Sequence, residues 1–144
     1  MRTPMKHLAS ALAACSMLLA GAAQAWPTKT VTLVVPYAPG GGHDAMARIV
    51  AEKLGPRLGQ TVLVENKPGG GGMVGTEFVT KAQPDGHTLL FCSPAEIVIA
   101  PSVYKSMRYD PVKDLTPVTQ VGDTPLVLMA HPGQGVKTLA ELVA

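Results

Sequence analysis

The feature that most constrains the fold is a pattern that occurs three times in succession. A short apolar run is followed by a loop and then by a helical segment, and the apolar runs are residues 30–35, 61–65 and 88–92. Such runs are typical of strands buried in a parallel sheet. Because consecutive units of this kind are joined by right-handed crossovers, their loops meet at one edge of the sheet. The sequence therefore predicts an α/β fold, a parallel sheet flanked by helices.

Helices are predicted after each of these loops. The first covers residues 44–58, where apolar side chains recur at spacings of three and four: Met46, Ile49, Val50, Leu54 and Leu58. Gly55-Pro56 predicts that this helix breaks or ends early. The second helix covers residues 73–82. The third begins at Ser93-Pro94, with Ser93 as the cap and Pro94 as the first helical residue.

The pattern loosens in the remaining part of the chain. Two further strands are predicted, at residues 115–121 and 125–130. A final helix is predicted to begin at Thr138, because Glu141 three residues later completes a capping box.

Residues 1–25 have the composition of an export signal. Arg2 and Lys6 precede an apolar run that ends in Ala23-Gln24-Ala25, a pattern that predicts cleavage after Ala25. The run is shorter than the roughly 20 residues that a membrane-spanning helix needs. A lipobox at residues 12–15, with a lipid on Cys15, is the alternative route of export.

Charge and cysteine content restrict the partners of the exported chain. The leader contains two of the 12 Lys and Arg residues, so the rest of the chain balances ten basic residues against 10 acidic ones. A basic face for nucleic acid is therefore not supported. Cys92 is the one cysteine outside the leader, which excludes an intrachain disulfide there. We interpret it as a small buried hydrophobe rather than a reactive thiol.

The first glycine loop, residues 39–42, joins the first strand to the first helix. Glycines let backbone amides approach a ligand closely, and a helix N-terminus adds a partial positive charge, so this loop is a candidate anion cradle. A tight connection without a ligand is the alternative. His43 is placed to contact a ligand. Asp44 is expected to cap the helix or to bond to the loop amides rather than to meet an anion, which its charge would repel.

The second glycine loop, residues 69–72, raises a different hypothesis. Gly70-x-Gly72-x-x-Gly75 matches the dinucleotide fingerprint, so a dinucleotide-binding α/β enzyme domain is the alternative function. Neither loop ends in the Lys-Ser/Thr of a P-loop, and Ser93 lacks the flanking glycines of a nucleophile elbow. The histidines are not at metal-ligand spacing, so we predict neither a metal site nor a cofactor.

Several motifs together resemble one family of transport receptors. The segments "WPTKTVTLVVPYAPGGGHD", "NKPGGGGMVG", "AQPDGHTLLF" and "YDPVKDLTPVTQV" resemble the Bug-type extracytoplasmic solute receptors of the tripartite tricarboxylate transporter system. The likeness extends over nearly all of residues 26–144. It implies a type II periplasmic-binding-protein clamshell that binds a small carboxylated solute between two lobes. It also implies delivery to a pair of membrane subunits, a periplasmic location and no enzymatic activity.

The resemblance implies which loops contact the solute. The loop after the first strand would bind a carboxylate through backbone groups and bridging waters, and the loop at residues 93–96 would line the cleft. A charge at Glu96 would favour an amino acid or a monocarboxylate over citrate. The candidate ligand-binding residues are Tyr37, Ala38, Pro39, Gly40, Gly41, Gly42, His43, Asp44, Ser93, Pro94 and Glu96.

Family members of this kind are much longer than 144 residues. The resemblance therefore implies that residues 26–144 form the N-terminal lobe and that the second lobe is largely absent. We expect an N-terminal fragment or the product of a truncated gene that binds its solute weakly or not at all.

Overall fold

The computed structural model describes residues 25–123, 125 and 127–143. The predicted leader, apart from Ala25, lies outside the described residues, and so does Cys15 of the alternative lipobox. Strands β1 (Val31–Val35), β2 (Val62–Asn66) and β3 (Thr88–Leu90) form one sheet in the order β2-β1-β3. Both pairings are parallel, which confirms the α/β prediction.

Strand β1 is the centre of the sheet and of the core. Its residue Leu33 lies opposite Val64 of β2 and Leu89 of β3. Val31, Leu33, Val34 and Val35 are all buried. A central parallel strand has neighbours on both sides and cover on both faces, which explains why this run has almost no polar alternation.

Helix α1 (Gly42–Leu58) is longer than predicted, and the predicted early end at Gly55-Pro56 is wrong. The helix continues through Pro56 and ends where Gly59 adopts a left-handed conformation, with φ of +66°. The amides of Gly59 and Gln60 both donate to the carbonyl of Gly55, so the helix ends in a glycine C-cap that combines the 5→1 bond of an αL motif with the 6→1 bond of a Schellman motif. Proline in the last turn removes only one hydrogen bond, which this C-terminal cap offsets.

The two later helical segments begin close to the predicted residues. A 3-10 turn at Gly70–Gly72 leads into α2 (Met73–Thr80). Helical structure resumes at Pro94 and continues as a π-helical stretch, Ala95–Ile99, followed by α3 (Ala100–Val103). Ser93 Oγ accepts the amide hydrogen of Ala95 at 3.1 Å, which confirms the predicted cap.

The two strands predicted at residues 115–121 and 125–130 are wrong for the part of these segments that the structure describes, since no strand forms there. Val118 is 80% exposed and Met129 is 84% exposed. Strand preference depends on a neighbouring strand to pair with, and these residues have none in the structure. The final helix α4 (Leu139–Val143) does form, and Thr138 Oγ1 accepts the amide hydrogen of Glu141 at 3.2 Å.

Within the described residues, no helix is both long and apolar enough to cross a bilayer.

Candidate functional site

The carboxyl ends of the three strands meet at one edge of the sheet, as predicted. Tyr37 follows β1, Asn66 ends β2 and Ser93 follows β3. The Asn66 side-chain amide donates to the carbonyl oxygen of Tyr37 at 3.2 Å, and the Tyr37 hydroxyl lies 2.8 Å from Ser93 Oγ. Ligands of open α/β sheets bind at this edge. The structure therefore brings the loops with the candidate ligand-binding residues together.

The first glycine loop presents its backbone to solvent. Ala38, Pro39, Gly40, Gly41 and Gly42 are all exposed. Gly40 has φ of +86°, a conformation that favours glycine, although a Cβ there would meet no atom within 4 Å. The amides of Gly40 and Ala45 have acceptors, whereas the described part of the chain holds none for Gly41, Gly42 and His43. These three amides surround the N-terminus of α1, where an anion is favoured.

Asp44 is a buried carboxylate that binds the backbone of this loop. It is only 4% exposed, and its Oδ2 accepts the amide hydrogen of Gly40 at 2.9 Å, the contact to a loop amide that the sequence predicts. Arg48 binds both oxygens at 3.0 Å, and Asn66 donates to Oδ1 at 3.0 Å. Arg48, then the Gly40 amide and Asn66, lower the pKa of Asp44 to about 2. The carboxylate is therefore ionised, paired and turned away from the loop surface.

Sequence reasoning missed Arg48 and Asn66, which hold Asp44 in place. The Asp44–Arg48 pair has the i, i+4 spacing at which side chains meet on a helix, so this contact was visible in the sequence. Asn66 offers no comparable signal, because its contact with Asp44 joins residues 22 positions apart through the β1–β2 pairing.

Tyr37 and His43 form an aromatic pair next to the exposed amides. Their ring centroids are 4.6 Å apart with an interplanar angle of 39°. The Tyr37 hydroxyl donates to Glu96. Burial, together with this hydrogen bond to Glu96, raises the pKa of Tyr37 to about 12. Tyr37 is therefore a neutral hydrogen-bond donor at physiological pH.

Glu96 lies beneath the loops rather than on their surface. It has no exposed area, and its Oε2 accepts from the amide and the hydroxyl of Ser93, each at 3.2 Å. Ser93 and Glu96 thus form a capping box at the start of the third helical segment, which the Ser-x-x-Glu spacing could have revealed. In this structure the Glu96 carboxylate presents no surface to a solute, and Ser93 and Pro94 are the members of this loop nearer to the surface.

The second glycine loop is explained by its contacts within the protein. The amides of Gly72 and Val74 donate to the carbonyl of Gly69 at 3.0 and 3.3 Å, and the Met73 amide donates to Gly70. A Cβ on Gly75 would lie 2.8 Å from the Lys67 carbonyl oxygen. The amides of Gly72, Met73 and Val74 therefore have acceptors within the protein, and Gly75 is needed for close packing, which disfavours the dinucleotide site of the alternative hypothesis.

The remaining groups that could react or bind a metal are the Cys92 thiol and the metal-ligating side chains. Cys92 is partly buried, and burial, together with the nearby charge of Glu96, raises the pKa of its thiol to about 11. The thiol is therefore protonated at neutral pH, which agrees with its interpretation as an inert residue. No group of three or more metal-ligating side chains is present among the described residues.

A parallel α/β unit with glycine-rich loops at the carboxyl edge is the architecture of a periplasmic-binding-protein lobe. The structure of the periplasmic binding protein BugD matches with a TM-score of 0.56 and 46% identity, over 62% of this chain and 29% of that chain. MatC from Rhodopseudomonas palustris with bound malate matches with a TM-score of 0.62 and 40% identity, over 65% of this chain and 32% of that chain.

The sequence identifies the family within this class. Residues 46–144 match the profile of the tripartite tricarboxylate transporter family receptor, TctC, and the chain belongs to this family. Protein BugT of Bordetella pertussis is 41% identical over 123 residues, which are 85% of this chain and 38% of BugT. The chain therefore spans less than half the length of curated relatives such as BugT.

Proposed function

We propose that the chain supplies the first-lobe part of a periplasmic solute receptor for a tripartite tricarboxylate-type transporter. Family membership and the binding-protein fold support this proposal. The receptor captures a small organic acid, an amino acid or a related solute and passes it to membrane subunits of the transporter. It binds without chemical conversion, so it is not an enzyme, and the leader of residues 1–25 directs it to the periplasm.

The observation that carries this proposal is the set of unoccupied amides at the start of α1. Gly41, Gly42 and His43 offer donors to a carboxylate, while the negative charge of Asp44 is neutralised by Arg48. A carboxylate seated there needs no lysine or arginine, because backbone amides and the helix N-terminus supply the complementary charge. Tyr37, Ala38, Pro39, Gly40, Ser93 and Pro94 complete the surface around it.

The chemistry of the loops favours a solute with one carboxylate at this position. The buried charge of Glu96 lies behind Tyr37 and Ser93, so it disfavours a second carboxylate directed toward the third strand. MatC, the structural relative with bound malate, makes malate a suitable first probe. Glutamate and citrate test the preference for amino acids over larger acids.

The proposal is tested by titrating the isotopically labelled chain with malate, glutamate, citrate or NAD and recording ¹⁵N–¹H spectra, which detect even millimolar binding. Malate or glutamate should shift the amide resonances of residues 40–43 and of Ser93. Shifts confined to residues 70–75, produced by NAD, would support the dinucleotide hypothesis instead. If no carboxylate shifts residues 40–43 at millimolar concentration, the assignment of this site is wrong.

A matched pair of variants separates the site from general effects of adding a methyl group. Gly42→Ala and Gly122→Ala both place a Cβ where no atom lies within 4 Å. The methyl group of Gly42→Ala enters the approach of the carboxylate and should weaken malate binding. Gly122→Ala, outside the proposed site, should leave the titration unchanged.

A further inference from the structure

The carboxylate of Glu96 is the point at which all three strand-to-helix connections meet. Tyr37, after β1, donates its hydroxyl to Oε1, and Ser93, after β3, donates to Oε2 from its amide and its hydroxyl. Gly72, from the second glycine loop, packs against the same side chain. A Cβ at Gly72 would lie 2.7 Å from both Cγ and Cδ of Glu96, so only glycine leaves room for it.

Glu96 is a charge buried among neutral donors. It is 0% exposed, and no lysine, arginine or histidine nitrogen within the described residues lies within 4 Å of it. A buried carboxylate has a large desolvation cost even when it is hydrogen-bonded. A well-packed apolar side chain of similar volume is often at least as stabilising at such a position. Stability alone therefore does not explain a carboxylate here.

The contacts of Tyr37 connect Glu96 to the surface of the proposed site. Its hydroxyl donates to Glu96 and lies 2.8 Å from Ser93 Oγ, its carbonyl accepts from Asn66, and its ring lies against His43. His43 is itself one of the residues with an unoccupied amide. Tyr37 therefore lies between the Glu96 carboxylate and the N-terminus of α1, in contact with both.

We propose that Glu96 is a positioning residue, which sets the separation of the first glycine loop and Ser93 without touching the solute. This inference deepens the proposed function, because the loops concerned are those assigned to the carboxylate. The coupling between the loops, however, is measurable without any solute. Its failure can therefore be distinguished from failure of the receptor assignment.

The first test is Glu96→Gln in the whole chain, followed by ¹⁵N–¹H spectra without solute. Glutamine has the same volume but places an NH₂ group where one oxygen accepts hydrogen bonds, so the three donor contacts cannot all persist. The amide resonances of Gly40, Gly41 and Gly42, none of which contacts Glu96, should shift. In the malate titration, the dissociation constant should rise about tenfold, the equivalent of one lost hydrogen bond.

Two further variants separate positioning from a general structural role. Tyr37→Phe removes the linking hydroxyl, so it should shift the same glycine amides, and the double variant should show less than the sum of the two single effects. Glu77→Gln on α2 is the control. Glu77 pairs with Lys81 and lies 3.9 Å from Arg108, neither of which belongs to the first glycine loop or to residues 93–96, so its replacement should leave these amides unchanged.

An absorbance titration of the tyrosines gives a signature that a loss of stability alone would not produce. Burial raises the pKa of Tyr37, and the hydrogen bond to Glu96 raises it further. Burial also raises the pKa of Tyr109, on which the Glu96 carboxylate acts through its charge alone. Glu96→Gln should therefore lower the pKa of Tyr37 more than that of Tyr109.

The inference is overturned if folded Glu96→Gln leaves the amides of residues 40–42 unshifted, or if the effects of the two single variants simply add. Should Glu96→Gln not fold, Tyr37→Phe decides: shifts at residues 40–42 and at Ser93 support the coupling, and their absence overturns it. Loop coupling without any malate binding to the unmodified chain would retain the structural link and contradict the receptor site.

Discussion

At the scale of single residues, Asp44 has its charge paired within the protein although it lies next to the proposed carboxylate site. Its oxygens accept hydrogen bonds from the Gly40 amide and the Asn66 side-chain amide, and they form an ion pair with the Arg48 guanidinium. The neighbouring amides of Gly41 and Gly42 have no acceptor among the described residues, because the helix begins there. The acidic residue nearest to the proposed carboxylate site thus supports the site indirectly.

The pKa of Asp44 predicts an acid-sensitive contribution to stability. Its pKa is lowered from the ordinary 3.8 to about 2, so the folded state binds fewer protons than the unfolded state in this interval. The stabilisation is complete above the ordinary value and is lost as the pH falls through about 2. Asp44→Asn should lower the melting temperature by several degrees at pH 7. The melting temperature of this variant should also fall less between pH 4 and pH 2 than that of the unmodified chain. Circular dichroism melts measure both effects.

Glu52→Gln is the control for this prediction. Glu52 lies on the same helix and pairs with Lys53, but both side chains of that pair are at least 70% exposed. Exposed ion pairs contribute little, so this variant should melt like the unmodified chain. Equal melting of Asp44→Asn and Glu52→Gln at pH 7 would show that the Asp44 contacts do not stabilise the loop.

At the scale of secondary-structure elements, helix α1 has the proposed anion site at its N-terminus and a glycine C-cap at its C-terminus. The left-handed residue Gly59, rather than Gly55-Pro56, determines where it stops. Pro56 is exposed and lies in the last turn, so its effect on helix stability is limited to one missing hydrogen bond to the carbonyl of Glu52. The local proline signal was therefore overridden by the cap that follows it.

This interpretation predicts that Pro56→Ala stabilises the chain. Alanine restores the amide donor inside the helix and has the highest helix propensity, so we expect a gain of about 1 kcal/mol. The midpoint of urea unfolding measures it. Pro132→Ala, in the 3-10 turn Pro132–Gln134 outside any long helix, should show no gain. A loss of stability in Pro56→Ala would mean that proline is favoured by the geometry of the last turn.

At the scale of the whole molecule, regular structure is concentrated before residue 104. From residue 115 to the final helix, the described residues hold one 3-10 turn and no strand. Several apolar side chains of this part are exposed, namely Val118, Val121, Val127, Leu128 and Met129. Exposed apolar surface of this kind favours association between molecules.

The contrast between the two parts of the chain predicts where proteases cut first. Trypsin should cleave after Lys137 at least about tenfold faster than after Lys53, because cleavage requires an extended backbone that α1 must unfold to provide. Both lysines are exposed, so accessibility of the side chain does not explain a difference. Mass spectrometry of a timed digest measures the order. Equal rates would mean that α1 is no more protected than the later segment.

Local patterns in the sequence were sufficient for the framework of the sheet. The β-branched run of β1 and the Ser93 cap express preferences over a few residues, and the structure contains both. Helix α1 also forms, but the prediction of its apolar face is wrong, because Ile49 is 60% exposed and the buried residues are Asp44, Ala47 and Ala51. The meeting of the loops at one edge also followed from the sequence, because crossover handedness leaves a parallel sheet few alternatives. The candidate ligand-binding residues of the first glycine loop were identified for the same reason, and their ligand contacts remain predictions.

Only the tertiary structure decided which groups are buried and what they touch. Glu96 had the sequence features of a cleft residue, but three loops close over it, and the glycine at position 72 leaves space for a neighbour distant in sequence. The segments at residues 115–121 and 125–130 have strand-like sequences without strand structure, because a strand exists only when another backbone accepts its hydrogen bonds. Local preference depends on nearby residues, whereas burial and pairing depend on residues that only folding brings together.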